Sequence, residues 1–526
     1  MSSAKEPVTR RFGNGLTVLI KEDKSHPVVS LQYWVGTGSM NEGHWQGSGL
    51  SHLLEHLVFK GTAHFSGQEL ARKVQERGGH WNAYTSVNRT VYYIDGPAES
   101  WQIFLNLLTE LVFFPTFPED EMEREKEVVR REMAMYADDP DSVAYQLLMQ
   151  TLYLKHPRRW PVLGERAAFD CLTRQDVLDY HASRYVPNNV VLSIAGDVDA
   201  AEILSHLELL VEDLKSRPLN REPIPHEPHQ FGSRRVRKEF AVPYSKLHLA
   251  WRLPCSAHPD TPALSALSSI LGGGRSARFY EKFHDRLGLV YSIEVHSNQS
   301  ETDEGAFTIS MDVDRAQRDK VRDLVLQELR NLAEEDFTED LKRVCKQTRV
   351  SRLRRRSSAS GVASEMGADW FGSRNLNLSS EWQEAIERVT TEDLHRVCST
   401  WLSSPNVTEV SLDPPGSNAG DEERASASAG TALSEHVLGN GMKVVIREDH
   451  RLPLAYACMA FKAGCRAENE HDAGVTDLMS ECLLKGTSTR SAADIARFLE
   501  DIGGAINTST GNNSLSVGCQ VLADDL

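Results

Sequence analysis

Apolar and polar positions recur along this chain with periods that mark out its elements. The short apolar run Leu16-Thr17-Val18-Leu19-Ile20 predicts a strand near the N-terminus. From His80 to Ile94 the residues alternate in strand fashion, with Trp81, Ala83 and Thr85 on one side and Asn82, Tyr84 and Ser86 on the other. Gly49-Leu50-Ser51-His52-Leu53-Leu54-Glu55-His56-Leu57-Val58-Phe59 reads instead as a buried helix, with Ser51 near its start. A second helix is predicted after Phe117-Pro118, where proline and clustered acids mark an N-terminus. Thr173-Arg174-Gln175-Asp176 signals a helix start ahead of the apolar strand Asn189-Val190-Val191-Leu192-Ser193-Ile194. Thr391-Glu392-Asp393 does the same ahead of Val407-Thr408-Glu409-Val410-Ser411-Leu412.

An internal repeat organises these elements. Asn14-Gly15-Leu16-Thr17-Val18-Leu19-Ile20-Lys21-Glu22-Asp23 returns as Asn440-Gly441-Met442-Lys443-Val444-Val445-Ile446-Arg447-Glu448-Asp449. Lys60-Gly61-Thr62 returns as Lys485-Gly486-Thr487, and Gly78-Gly79 with Asn82 and Thr85 returns as Gly503-Gly504 with Asn507 and Thr510. The offset stays at 425 to 426, so a duplicated unit is the better account. Leu526 is the counterpart of Trp101, and the second copy is therefore expected to be cut short, as in a fragment of a longer protein. The stretch carrying Pro218, Pro223, Pro225 and Pro228 reads as one linker, and the Gly-, Ser-, Ala- and acid-rich stretch from about Pro414 to Gly430 as another.

Composition narrows the class. With 526 residues, 40% of them hydrophobic and 25% charged, the chain exceeds one core; about 150 residues per domain suggests three or four domains. No apolar run approaches the ~20 residues of a membrane-spanning helix. The polar N-terminus lacks a signal core, so a cytoplasmic location is expected, or a periplasmic one if a leader is removed. The eight cysteines are scattered without a C-x-x-C pair, which argues against a disulfide scaffold or a cysteine zinc site. A formal charge of −17 makes nucleic acid an unexpected partner and gives only a hint of basic peptides. The basic run Arg352-Leu353-Arg354-Arg355-Arg356 reads as a solvated helix face. Gly272-Gly273-Gly274-Arg275 lacks the spacing of a nucleotide loop and reads as a tight turn or a substrate-facing loop.

Candidate chemistry sits on the predicted buried helix. Positions four apart share a helix face, so His52 and His56 can bind one ion while Glu55 points to nearly the same side. This is H-x-x-E-H, the reverse of the commoner H-E-x-x-H. A catalytic zinc site needs a third protein ligand and an open position. The acid-rich stretch Glu119 to Glu132 supplies candidates; Glu125 and Glu132 share a face, but spacing alone does not choose the ligand.

The chain resembles the M16 peptidases, the group that includes pitrilysin, insulin-degrading enzyme and mitochondrial processing peptidase. Their pattern is H-x-x-E-H, a glutamate ligand some 76 residues later, and another glutamate seven positions before that ligand. Here Glu132 stands 76 residues after His56 and seven after Glu125. Asn82-Ala83-Tyr84-Thr85 matches the family's N-A-x-T segment, and Leu271-Gly272-Gly273-Gly274-Arg275-Ser276 through Leu287-Gly288-Leu289-Val290-Tyr291-Ser292 matches its second-domain signature.

The resemblance implies one Zn2+ per chain held by His52, His56 and Glu132, with Glu55 as the proton acceptor. It makes Glu125 a supporting acid, either beside the ligands or assisting catalysis. It implies a substrate-binding edge strand with contacts at Asn82 and Ala83, and a zinc-dependent endopeptidase acting on unfolded or short peptides. The implied fold class is α+β, with repeated M16-type domains, each a mixed or antiparallel sheet packed with helices, forming half of a clamshell. The expected division is a catalytic domain over 1–225, a non-catalytic one over 226–415, a flexible linker over 416–430 and the start of a degenerate third over 431–526. In that third domain Asp477, Ser480 and Glu481 replace His52, Glu55 and His56, so no zinc site of this type is expected there. The family's silent half supplies an arginine and a tyrosine that hold substrate, at positions beyond Leu526. Closing a chamber is therefore expected to need that half, a partner chain or a homodimer. The alternative reading is a non-catalytic structural or regulatory subunit of the same family.

Overall fold

The computed structural model describes residues 6–219, 223–299, 304–402, 405–416, 433–447 and most of 454–523. Apart from Gly416, the linker expected over 416–430 lies outside the described residues. The chain divides into two compact units, Met1–Asp421 and Glu422–Leu526.

The first unit is built on two sheets. One comprises β1 Val8–Arg11, β2 Thr17–Glu22, β3 Val28–Val35, β4 His80–Thr85, β5 Thr90–Pro97 and β6 Val190–Gly196, in the order β1-β2-β6-β3-β5-β4. Only β2 and β6 run parallel, so the sheet is mixed, and β4 forms a free edge. β6 is apolar nearly throughout because both of its faces are covered. Leu192 and Ile194 enter a core with Val18, Ile20, Leu31 and Tyr33, while Val191 and Ala195 face the opposite side.

The other sheet comprises β7 Arg234–Glu239, β8 Ser245–Leu253, β9 Val290–Asn298, β10 Gly305–Val313 and β11 Thr408–Asp413, in the order β7-β11-β8-β10-β9. β11 lies between β7 and β8, parallel to β7. β6 likewise lies between β2 and β3, parallel to β2. The late strand of each half thus fills the same slot, which gives the two halves a common plan.

The two halves interlock. Helix Pro140–Leu152, which belongs to the first half in sequence, lays Leu148, Met149 and Leu152 on Ala250, Ala306 and Val410 of the second sheet. Helix Ala359–Ser373, from the second half, returns to cover the outer face of the first sheet with Val362, Ala363 and Met366 against Leu19, Trp34 and Val191. Gly367 permits that approach, since a Cβ there would lie 2.3 Å from the Trp34 ring. Each sheet needs its second face covered, and each obtains the covering helix from the other half.

Two expectations require adjustment. The alternating segment His80 to Ile94 is a hairpin, β4 and β5, and the reversal at Ser86–Arg89 carries no glycine or proline. It is held from outside, by Ser39 N–H donating to Ser86 O and Met40 N–H to Val87 O. The later helix is capped by Thr390, whose hydroxyl accepts from Asp393 N–H while Asp393 reaches back. Within the proline-rich stretch the Glu227 carboxylate accepts the amides of Leu154, Lys155 and His156 at 2.6, 2.8 and 2.9 Å.

The second unit contains β12 Leu433–Val437 paired with β13 Lys443–Arg447, and a separate sheet of β14 Leu454–Lys462, β15 Ala505–Thr510 and β16 Ser514–Leu522 in the order β14-β16-β15. Helix Val475–Cys482 follows a left-handed Gly474, as helix Leu50–Val58 follows a left-handed Gly49. Among the described residues of this unit no strand takes the place that β6 occupies in the first copy. Among all described residues no helix is long and apolar enough to cross a membrane, and no cysteine is paired.

Candidate metal centre

The motif helix Leu50–Val58 is fixed at both its face and its start. Leu50, Leu53, Leu54, Leu57 and Val58 are completely buried, which turns His52, Glu55 and His56 to the half-buried opposite side. Gly49 has φ 73°, and a Cβ on it would lie 2.0 Å from Leu163 O, so only glycine fits there. Glu42, wholly buried, accepts Ser51 N–H at 2.9 Å and so satisfies an otherwise orphaned amide of the first turn.

The acid-rich helix Glu119–Asp138 packs alongside, burying Met122, Glu125, Lys126 and Val129. Lys126 Nζ donates to the carbonyls of Asp170 and Leu172, which fixes the rotation of this helix about its axis. Glu119, Asp120, Glu123 and Glu127 are exposed, and Glu121 pairs with Arg124. Glu125 and Glu132 are the two carboxylates of the stretch that meet the motif helix.

His52 Nε2 and His56 Nε2 each lie 3.9 Å from Glu132 Oε2. Ligand atoms around one tetrahedral zinc stand roughly 3.3–3.5 Å apart, given bonds of ~2.0–2.1 Å. One atom from each of the three residues lies within 4.8 Å of the others, the one such group among the described residues. His56 Nδ1 is 3.1 Å from Glu125 Oε2, and Lys60 Nζ is 2.6 Å from Glu125 Oε1. That chain of contacts holds the proton of His56 on Nδ1 and leaves the Nε2 lone pair facing Glu132. His52 Nδ1 is buried with no partner among the described residues, and Thr85 Oγ1 donates to Glu55 Oε2 at 2.6 Å.

Electrostatics separate these groups. Burial, with His56 nearby, pushes the His52 imidazole down to about 3 and keeps it neutral, the form that binds a metal. For His56 burial also works downward, but the Glu125 bond and the charges of Glu55, Glu125 and Glu132 outweigh it and hold the ring above its ordinary value. Burial raises the Glu55 carboxyl, opposed by the Thr85 bond. Burial acts the same way on Glu125, but the His56 and Lys60 bonds prevail and keep it charged. A neutral His52, an oriented His56 and a nearby carboxylate fit a divalent zinc ion.

The family described as insulinase (peptidase family M16) matches residues 17–166 and again 443–526, and the M16 inactive domain matches 172–347. The chain belongs to the M16 peptidase family. Among M16 relatives, an uncharacterised zinc protease of Rickettsia felis is 27% identical over 406 residues, covering 75% of this chain and 94% of that one. A zinc protease of Bacillus subtilis is 27% identical over 385 residues, covering 73% and 92%. The crystal structure of a Helicobacter pylori protease superposes with a TM-score of 0.71 at 26% identity, covering 78% of this chain and all (100%) of that one.

The site residues expected from the sequence lie on two helices and one edge strand of this M16 fold. His52, His56 and Glu132 converge, Glu55 and Glu125 adjoin them, and Asn82 and Ala83 lie on edge strand β4. Asn82 Oδ1 accepts Ala83 N–H at 2.8 Å. Lys60, Thr85 and Glu42 were not assigned roles from sequence. Lys60 and Thr85 recur in the repeat, a signal of structural weight, but their partners lie far off along the chain. In the second unit Thr510 Oγ1 donates to Asp477 Oδ1 at 2.7 Å and Glu468 caps the helix through Gly474 and Thr476 N–H, so the scaffold recurs around residues that include no histidine.

Proposed function

We propose that this chain is a zinc-dependent endopeptidase, with one zinc held by His52, His56 and Glu132 and Glu55 as its proton carrier. The observation that carries the reading is the convergence of those three donors beside a carboxylate that is separately held by Thr85. A zinc ion at this position supplies a Lewis acid that polarises a peptide carbonyl and acidifies water. Glu55 accepts the proton of the attacking water and delivers it to the leaving amine; its burial-raised pKa suits both halves of that task. Glu125 and Lys60 orient His56 and take no proton.

Substrate is read as an added strand on β4, where main-chain hydrogen bonds hold a peptide with little sequence demand. The Ala83 amide is available once Asn82 Oδ1 swings away from it, which leaves that oxygen for the peptide backbone. Beside His52, Thr85 and Glu132 opens a cavity of about 660 Å³ walled by Met133, Val143 and Leu147, room for an apolar side chain of the substrate. This wall favours apolar residues over the basic ones that net charge suggests.

The test is zinc per purified chain. One zinc in the wild type, lost in His52→Ala and Glu132→Gln, supports the site. A wild type that takes up no added zinc sinks the reading.

A further inference from the structure

The basic run near the end of helix Thr338–Arg355 is not used by the peptidase site. Eight lysines and arginines and no carboxylate fall between Lys342 and Arg356, in a chain whose net charge is −17. The structure divides them. Arg354 and Arg355 are exposed, as are Arg349 and Arg356, but only the latter two line a cavity with Arg352. Arg349, Arg352 and Arg356, spaced to share a face, line a cavity of about 520 Å³ together with Lys21 of β2.

Inside this cavity two guanidiniums are already oriented. Glu365, its side chain 3% exposed, accepts Arg352 Nη2 at 3.0 Å and Arg356 Nη1 at 2.6 Å. Burial works to raise the Glu365 carboxyl, but the two arginines outweigh it and keep it ionised. Arg352 Nη2 also donates to Ser380 Oγ at 2.7 Å. Arg352 Nη1, Arg356 Nη2 and the whole Arg349 guanidinium bond to no described residue. Three arginines therefore face two lining carboxylates, Glu6 and Glu365, which leaves an excess of positive charge in a concave site without counting Lys21. Leu353, Met366 and Leu376 add apolar wall, while Asn377 and Gln383 add hydrogen-bonding groups.

We propose that this cavity binds a small organic phosphate, its phosphate on Arg349, Arg352 and Arg356 and its organic body against Leu353, Met366 and Leu376. Guanidinium forks match phosphate oxygens, and a bound anion offsets the excess positive charge. Lys21 of the first sheet also lines the cavity, so the site lies where the two halves meet, and a bound ligand stabilises the folded chain by mass action. The site is independent of the zinc cluster.

Calorimetric titration of the full chain with adenosine monophosphate, inorganic phosphate and succinate tests this. The expected result is one adenosine monophosphate per chain, bound more tightly than phosphate, with succinate weaker still. Arg349→Ala, a surface change, weakens the nucleotide roughly tenfold or more through loss of charged hydrogen bonds. Arg354→Ala, outside the cavity, leaves it unchanged. No binding of adenosine monophosphate at millimolar concentration, equal losses in both variants, or phosphate binding as tightly as the nucleotide overturns the proposal.

Discussion

Thr85 Oγ1 donates to Glu55 Oε2 at 2.6 Å, so the edge strand that is proposed to carry substrate also holds the proposed proton carrier. The bond fixes the carboxylate rotamer and opposes the burial that raises its pKa. Thr85→Val keeps the β-branched shape and removes the donor. A charge-assisted bond of this kind is worth about 1.5–3 kcal/mol. The variant is expected to keep its zinc and lose roughly tenfold or more in kcat with little change in KM, while Thr85→Ser recovers most of the rate. Steady-state kinetics on an unfolded peptide decide it; an unchanged kcat removes Thr85 from the account.

The line Lys60–Glu125–His56 acts on metal affinity. Lys60 keeps Glu125 charged, and Glu125 keeps the His56 proton on Nδ1. Loss of a group that orients a ligand costs about 10- to 100-fold in affinity. Glu125→Gln and Lys60→Met are expected to weaken zinc by that order, measured by competition with a chromogenic chelator. Wild-type affinity in both would leave the line without a role.

Protons and zinc compete for His56, whose pKa in the folded chain is raised above its ordinary value of 6.5. Apparent zinc affinity is therefore expected to fall as pH drops below that raised value, and Glu125→Gln shifts the fall to lower pH. Equilibrium zinc titrations across pH check this; an identical profile in the variant contradicts it.

Glu42 gives a stability signature of its own. Burial raises its carboxyl to about 8 from 4.5, against the bond from Ser51 N–H. A folded-state pKa above the unfolded one means stability fully present below the unfolded value and lost as pH rises through the folded value. Glu42→Gln keeps an acceptor for Ser51 without the titration. Relative to this variant, the wild-type Tm is expected to decline between about pH 5 and 8, measured by thermal melts. A pH-independent difference would contradict the assignment.

Much of the site was legible along the chain because its chemistry is local. His52, Glu55 and His56 share a helix face by spacing, and the surrounding leucines bury the other face. Glu132 was not legible in this way. It lies among many glutamates, and only the family resemblance selected it before the packing of the two helices singled out Glu125 and Glu132. Thr85, Lys60 and Glu42 act across turns and between elements, where no periodicity carries information. The hairpin at Ser86–Arg89 went unread because its reversal carries no glycine or proline; Ser86 N–H to Arg89 O closes it, and Ser39 and Met40 brace it from outside. The exchange of covering helices between halves was hidden for a similar reason. Pro140–Leu152 and Ala359–Ser373 are apolar enough to be buried, but their sequences do not say under which sheet.

The most direct test of the central claim is a paired measurement on wild type and Glu55→Gln: zinc content, and cleavage of an unfolded peptide. The expected result is one zinc in both and cleavage in the wild type alone. Undiminished cleavage by Glu55→Gln, or a zinc-loaded wild type that cleaves no peptide, would contradict it.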